Sequence, residues 1–294
     1  MSEPAEFYKT SPIKRDRRTK RELGTIREAL YQTLAADNPA TVRQIFYRLV
    51  SANVIEKTEA AYKNTVCRLL ALMRREGALP FGWIADNTRW MRKPRTYSSI
   101  EDALKRTAEF YRRALWDEQK AYVEVWLEKD ALAGVLYPIT AEWDVPLMVT
   151  RGYPSLSFLY EAAEQIREAH KQTFIYYLGD HDPSGVDIPK VVERELREMA
   201  PDANITFERL AVNPDQIRRL NLQTRPTKTT DSRAKSFKGE SVEVDAIPPA
   251  TLRNLVNTAI VKHIDRRALK VLQIAEESER GLLTSFAEHW SEAN

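Results

Sequence analysis

Two apolar runs in the second half of the chain have the length and composition of buried β-strands. Ala121–Leu127 and Thr173–Leu178 are rich in Val, Ile, Tyr, Phe and Trp, and charged residues follow closely after each run. Helix-like segments come next in both cases, over Ala131–Tyr137 and Val186–Met199. Strands that alternate with helices in this way form parallel sheets, so the pattern predicts the α/β fold class for this half.

The first half of the chain shows helical periodicity instead. A helix is predicted over Thr41–Leu49, after a favourable helix start at Asn38 and Pro39. Its apolar positions share one stripe: Val42, Ile45, Phe46 and Leu49. Arg43 and Tyr47 lie on the opposite face, together with other polar positions. Tyr47 is therefore expected outside the local core.

Tyr47 and Arg43 are the first residues with candidate chemistry. Residues four apart are neighbours on a helix surface, so the Arg43 guanidinium can steady a phosphate that the Tyr47 phenol attacks. The alternative is a surface tyrosine whose ring rests against Arg43. These residues alone favour that alternative.

A longer helix of about five turns is predicted over Lys57–Glu76. Its apolar stripe consists of Tyr62, Val66, Leu69, Leu70 and Met73. Its other face carries Lys57, Asn64, Arg68 and Arg75. Such a face can follow phosphates in a DNA major groove, and the alternative is an ordinary solvated face. Ala78–Ile84 and the run to Lys93 then predict a short hairpin, or wing.

Three acidic residues follow the two predicted strands. Glu128 ends the first strand, and Asp180 and Asp182 follow the second. Side chains at i and i+2 of an extended chain point the same way, so the two aspartates are expected to converge at an edge where α/β sheets bind ligands. Close carboxylates repel unless a cation lies between them, and magnesium suits such oxygen ligands. The alternative is a polar turn, with Glu128 acting only as a helix N-terminal acid.

The order and setting of these acids resemble a known domain. Glu128, followed by the Asp-His-Asp-Pro-Ser-Gly sequence of Asp180–Gly185, resembles the Toprim domain of topoisomerases, primases and some nucleases. Val242–Pro248 resembles a segment that closes this region in the A subunit of topoisomerase VI and in the related meiotic DNA-breaking proteins. From its residues alone, that segment is an alternating strand, and Glu243 and Asp245 form its solvent face.

The Arg-Gln-Ile-Phe-Tyr sequence of Arg43–Tyr47 resembles the catalytic tyrosine motif of the same family. The resemblance extends from about Thr25 to about Ala259, and in it the second aromatic residue, here Tyr47, is the nucleophile. It implies an N-terminal winged-helix domain that carries Tyr47, and a C-terminal Toprim domain whose three acids hold Mg²⁺. It also implies double-stranded DNA as the substrate, a homodimer that shares its active sites between subunits, and a separate ATPase subunit as a further partner.

Together these patterns predict four parts of the α/β chain. They are a basic arm over 1–24, the winged-helix domain over 25–97, a helical connector over 98–118, and the Toprim domain with a C-terminal helical extension over 119–294. The connector follows from the helical spacing of Ser98–Trp116, and the extension from that of Thr251–Trp290. Between Asn221 and Gly239 the chain is polar and basic, and a loop that DNA orders is expected there.

The composition is consistent with this interpretation but does not distinguish it from the alternatives. The 294 residues allow two domains, and the net charge of +3 is concentrated near the N-terminus, between Lys14 and Arg21. The single cysteine, Cys67, excludes an internal disulfide and a cysteine-based zinc site, and it fits a cytoplasmic protein. Apolar stretches of membrane-spanning length and a Walker loop are both missing from the sequence. No membrane association is expected, and strand passage would need a partner chain.

Two other functions fit the same residues. A Toprim nuclease would use Glu128, Asp180 and Asp182 to activate water, and its DNA products would carry no protein. A winged-helix DNA-binding protein without catalytic activity would need neither the acids nor Tyr47. The sequence favours the tyrosine-dependent enzyme through the resemblance.

Overall fold

The computed structural model describes residues 18–85, 93–227, 237 and 239–293. The α-helices are α1 Lys20–Ala36, α2 Val42–Ser51, α3 Glu59–Ala61, α4 Arg68–Arg75, α5 Ile100–Phe110, α6 Ala133–Glu142, α7 Leu156–Ala169, α8 Pro183–Met199, α9 Pro214–Arg219, α10 Pro249–Val261 and α11 Arg266–Ala293. The strands are β1 Ala121–Leu127, β2 Leu147–Val149, β3 Gln172–Leu178 and β4 Ile205–Ala211. Short 3₁₀ helices cover Phe81–Trp83, Leu115–Glu118, Asp130–Leu132 and Val244–Ala246.

The four strands form one parallel sheet in the order β2-β1-β3-β4. Leu127, at the end of β1, pairs in register with Leu178, at the end of β3. The carboxyl ends of the two central strands therefore meet at one edge of the sheet. The predicted α/β class is confirmed, and β1 has the predicted bounds.

Helices cover both faces of this sheet. Val125 on β1 lies in a core with residues of α6 and α10, such as Leu136 and Val256. Trp126, the next residue, faces the opposite core with Leu159 of α7 and with residues of α8. Burial on both faces explains why β1 and β3 are continuous apolar runs rather than alternating ones.

The residues from α1 to Ile84 form a separate hydrophobic core. Its buried members include Ile45, Phe46 and Leu49 of α2, as the predicted stripe requires. The predicted helix over Lys57–Glu76 is interrupted: α3 and α4 are separated by a π-helical segment, Tyr62–Cys67. Lys57 itself precedes Thr58, the residue whose side chain caps α3.

Hydrogen bonds join this N-terminal core to the sheet region through α2. Thr41 Oγ1 donates to Asp245 Oδ1 at 2.7 Å, and Gln44 Nε2 donates to the Ile247 carbonyl at 3.3 Å. Asp37 also accepts from Arg253 and from the Ala250 amide. The start of α2 is therefore bound to the segment that follows residue 242.

Several predicted segments differ from the structure. The connector helix α5 ends at Phe110 rather than Trp116, and it packs along α11. The predicted C-terminal helix is broken into α10 and α11 between Val261 and Arg266. Residues 20–24, placed in the basic arm, begin α1 after its capping residue Thr19, and residues 1–17 lie outside the described part. None of the described helices combines the length and apolar character needed to cross a membrane.

The predicted strand over Val242–Pro248 is also wrong. Val242 alone pairs, as an isolated bridge with His181, and Val244–Ala246 forms a 3₁₀ helix. The segment turns away because its amides and side chains bond to the acid-bearing turn and to α2 instead of a neighbouring strand. The predicted wing covers Ala78–Ile84 and the run to Lys93. Its residues 86–92 lie outside the described part, and Ile84 pairs with Ala40 as an isolated bridge.

Candidate active site between the sheet and the N-terminal core

The three predicted metal ligands lie at the carboxyl edge of the sheet and are called the acid edge: Glu128, Asp180 and Asp182. Glu128 follows β1, and its Oε2 accepts a hydrogen bond from the Asp180 amide at 3.2 Å. Asp180 follows β3, and its Oδ1 accepts from the Val244 amide at 2.8 Å. Asp182 caps α8 by accepting from the Gly185 amide at 2.8 Å.

Two glycines allow these groups to approach one another. A Cβ at Gly179 would collide with Glu128 Oε2 and with the Tyr177 ring. A Cβ at Gly185 would collide with the Asp180 carbonyl oxygen, where α8 starts against the end of β3. Any larger residue at either position would therefore push the acids apart.

Burial and mutual repulsion change the ionisation of this edge. Burial, together with the charges of Asp180 and Asp182, raises the pKa of Glu128 to about 7. Burial likewise raises the pKa of Asp180 to about 6, although the Val244 amide and Lys129 oppose the shift. Both carboxylates are thus held where their negative charge is unfavourable.

The acid edge suits a magnesium ion by its chemistry. All three side chains offer oxygen ligands, and a cation would relieve the unfavourable charge that the raised pKa values of Glu128 and Asp180 express. Within the described ranges, no three His, Cys, Asp or Glu side chains already surround a common metal position. Each of the three acids uses one oxygen to accept from a backbone amide, so the oxygens that remain would have to turn towards the ion.

Arg209 stabilises the turn after β3, which carries Asp180 and Asp182 and is called the acid-bearing turn. Its guanidinium donates to four carbonyl oxygens, those of Gly179, Asp180, Gly185 and Val212, at 2.6–3.1 Å. Burial lowers its pKa, while the nearby Tyr177, Glu128 and both aspartates oppose that shift. A single arginine therefore fixes the turn after β3, the start of α8 and the end of β4. Sequence reasoning missed it, although it is a charged residue within a strand.

Tyr47 lies in the core, contrary to the expectation that it would lie outside. The residue is only 4% exposed, packs on Phe46 at 5.7 Å between ring centroids, and has the Lys57 amine 5.6 Å from its ring centroid. Its helix, α2, packs against the 3₁₀ helix Val244–Ala246, which covers the face that looked exposed on a helical wheel. Burial raises the pKa of Tyr47 above its usual value, and the charge of Glu243 raises it further.

Positively and negatively charged side chains form a cluster that extends from α2 towards the acid edge. This cluster is called the charged junction and consists of Arg43, Lys129, Arg225, Glu243 and Asp245. Arg43 stacks over the Tyr62 ring at 4.0 Å, and its Nε lies 3.6 Å from Glu243 Oε2. Lys129 pairs with Asp245 and with Glu243, and Arg225 pairs with Glu243 at 2.7 Å. Glu243 and Asp245 are buried and do not form a solvent face.

The junction links the predicted tyrosine to the predicted acids. The electrostatic neighbours of Tyr47 within its own chain include Glu243, Arg43, Arg225 and Asp245. Arg225 Nη2 in turn lies 3.5 Å from Asp182 Oδ2. Lys129 and Arg225 were missed as site residues, although Lys129 stands between two acids in the sequence and Arg225 begins the basic loop. The basic residues of that loop between positions 228 and 238 lie outside the described part.

The predicted DNA-binding side chains are accessible. Lys57, Asn64, Arg68 and Arg75 are all exposed. Lys57 differs from the others because its amine donates to the Thr224 carbonyl, which brings it to the charged junction. The π-helical segment changes the helical register between Asn64 and Arg68, so these side chains do not follow one regular α-helical face.

Comparisons with known proteins add no family assignment. No protein-family model matches the chain, and no curated protein matches it.

Proposed function

We propose that this chain is a magnesium-dependent enzyme that breaks and rejoins DNA strands through Tyr47, in the manner of the topoisomerase VI A subunit. The observation that supports this most is the position of Tyr47 beside a cluster of cations that continues to the acid edge. The proposed nucleophile therefore lies in the same fold as the cations that would bind phosphate. The carboxylates that would bind the metal are next to these cations. In this proposal residues 25–97 form the winged-helix domain and 119–294 the Toprim domain.

In the proposed reaction the Tyr47 oxygen attacks a DNA phosphorus atom and the bond to one DNA oxygen breaks. The products are a phosphotyrosine diester and a free DNA hydroxyl, and the reverse attack by that hydroxyl reseals the strand without ATP. The phenol proton must leave as the bond forms, since the pKa of Tyr47 is raised in the DNA-free chain.

Individual side chains have distinct roles in this proposal. Arg43 steadies the attacked phosphate, and Arg209 holds the acid-bearing turn in position. Glu128, Asp180 and Asp182 would hold Mg²⁺, which supplies neutralisation of charge near the phosphate. Arg68 and Arg75 bind phosphates of the DNA backbone. The partners are double-stranded DNA, a second copy of the chain and, for strand passage, a separate ATPase subunit, in a cytoplasmic setting.

One observation favours a second function, a metal-dependent nuclease. Tyr47 is almost completely buried, whereas Glu128, Asp180 and Asp182 are each partly exposed. If the buried phenol never reaches a phosphate, the acids alone would activate water and leave DNA ends without protein.

The test is incubation with supercoiled plasmid and magnesium, followed by detergent with or without protease. The proposal expects nicked or linear DNA that enters a gel normally only after protease treatment, and expects Tyr47→Phe to abolish it. Broken DNA with free ends, produced equally well by Tyr47→Phe, would establish the nuclease instead. Binding without any breakage would leave a DNA-binding protein.

A further inference from the structure

One carboxylate in the charged junction meets three cations. Glu243 Oε1 lies 2.7 Å from Arg225 Nη1, and Glu243 Oε2 lies 3.6 Å from both Arg43 Nε and Lys129 Nζ. These cations come from α2, from the turn after β1 and from the segment after α9. Three separate parts of the chain therefore converge on one anion.

One oxygen of this carboxylate lacks a hydrogen bond, although cations surround it. Glu243 is 7% exposed, and its Oε2 is buried without a hydrogen-bond partner despite the two cations at 3.6 Å. A buried polar atom without a hydrogen-bond partner is unfavourable. The positions of the three cations therefore fit the two oxygens of a planar carboxylate poorly. A tetrahedral phosphate, whose oxygens diverge, is the anion that they suit better.

The cations do not depend on Glu243 for their positions. Lys129 is also paired with Asp245, and Arg225 lies 3.5 Å from Asp182. Arg43 is held by its stacking on the Tyr62 ring. The three-cation arrangement would therefore persist if the Glu243 side chain moved away.

There is room for an incoming phosphate beside these cations. Arg43 and Lys129 line a cavity of about 340 Å³ that opens between α2 and the turn after β1. Arg74 lines the same cavity with a further positive charge, Asp245 lines it with a negative one, and Arg225 lies outside its lining. The backbone on either side of Glu243 is anchored, because Val242 pairs with His181 and the Val244 amide donates to Asp180 Oδ1. A rotation of the Glu243 side chain is the smallest movement that frees the cations.

We propose that Arg43, Lys129 and Arg225 form a phosphate-binding cradle, and that Glu243 occupies it as an internal phosphate mimic until DNA arrives. A backbone phosphate of DNA then replaces the carboxylate, next to the helix that carries Tyr47. The inference rests on the DNA binding in the proposed function and is independent of the cleavage step. It makes Glu243 an autoinhibitory residue and makes Lys129 and Arg225 part of the DNA site.

The direct test is the DNA affinity of Glu243→Gln, which keeps the side-chain shape and removes the competing charge. Fluorescence anisotropy with a short duplex, without magnesium and over a range of salt concentrations, should show about tenfold tighter binding. The slope of log affinity against log salt should stay the same, because the same phosphate contacts form in both complexes. Unchanged or weaker binding by Glu243→Gln would overturn the cradle.

The matched control is Glu59→Gln. Glu59 also pairs with Arg43, at 3.4 Å, but it is exposed and touches only one of the three cations. Its substitution removes the same charge, so an equal gain in affinity would mean that net charge alone governs binding. The cradle requires the Glu59→Gln change to stay below about twofold.

A second variant keeps the inference testable if Glu243→Gln folds poorly. Arg225→Gln removes the nearest cation and should weaken DNA binding about tenfold, more than Arg68→Gln on the exposed surface; equal losses would contradict the cradle. Calorimetry with inorganic pyrophosphate should detect binding to Glu243→Gln and weaker binding to the unaltered chain. If these results hold while no variant ever breaks DNA, the cradle stands and the strand-breaking function fails.

Discussion

The acid edge and the charged junction are neighbouring clusters of carboxylates that are neutralised in different ways. Glu128 and Asp180 at the acid edge accept hydrogen bonds from backbone amides, and burial raises the pKa of each. Glu243 and Asp245 at the junction face arginine and lysine side chains instead. In the proposed function the acid edge would take up a cation, whereas the charged junction already has its cations and would exchange a carboxylate for a phosphate.

Placing the Tyr47 and acid-edge substitutions on different subunits should change DNA cleavage most strongly. The proposed homodimer brings the tyrosine of one subunit to the acid edge of the other, so Tyr47→Phe and Glu128→Ala proteins should each be inactive alone. After subunit exchange, each heterodimer holds one intact site, and the mixture should nick supercoiled DNA without linearising it. No nicking by confirmed heterodimers would mean that Tyr47 serves the acid edge of its own chain.

Asp180→Asn should abolish DNA cleavage and weaken magnesium binding. Without magnesium at pH 8, the same variant should unfold less readily, by as much as about 3 kcal/mol, because a carboxylate with its pKa raised to about 6 is lost. Asparagine still accepts the Val244 amide, so the fold is retained. Calorimetric titration and chemical denaturation measure the two effects. Unchanged magnesium binding would reduce Asp180 to a turn residue.

Arg209→Lys tests how far the acid edge depends on its support. Lysine keeps the positive charge but cannot donate to all four carbonyls that Arg209 bridges. Magnesium affinity should fall by about 10- to 100-fold, as for other residues that orient metal ligands. Arg197→Lys, on the exposed surface of α8, is the control. Equal affinities for the two variants would show that the turn holds its shape without Arg209.

The pH dependence of stability should distinguish magnesium-free from magnesium-bound protein. Because the pKa values of Glu128 and Asp180 are raised on folding, the folded state holds protons more tightly than the unfolded chain between about pH 4 and about pH 7. Their contribution to stability is therefore largest below this window and is lost as pH rises through it. Magnesium should flatten the fall, which denaturant titrations at several pH values would show.

Glu124 supplies an internal control for that experiment. It is buried on β1, accepts from Trp126 Nε1 at 2.7 Å, and has its pKa raised to about 7 by burial. It lies away from the acid edge, so its contribution to the pH dependence should be the same with and without magnesium. Glu124→Gln should remove that shared part alone. A fall that magnesium does not alter would contradict a metal site at the acid edge.

The elements that the sequence predicted well are those determined by local pattern. β1 has its predicted bounds because a continuous apolar run is limited on both sides by polar residues. The three acids lie at one edge because parallel strands bring their carboxyl ends together. Both results need only periodicity and strand direction.

Features that depend on distant segments could not be predicted in the same way. A helical wheel leaves Tyr47 exposed, since it shows only the helix itself, yet Val244–Ala246 packs on that helix from nearly 200 positions away. The alternation of Val242–Pro248 resembles a strand, but its hydrogen bonds to Asp180 and Thr41 replace those of a sheet. Arg209 gave no local sign that it supports the acid-bearing turn.

The most direct measurement of the central claim identifies the residue that becomes attached to DNA. The protein is incubated with plasmid and magnesium, denatured, and digested with nuclease and protease, and the nucleotide-bearing peptide is identified by mass spectrometry. A single modified residue is expected, Tyr47, within the peptide that contains α2. A nucleotide on any other tyrosine, or cleaved DNA without any modified peptide, would contradict it.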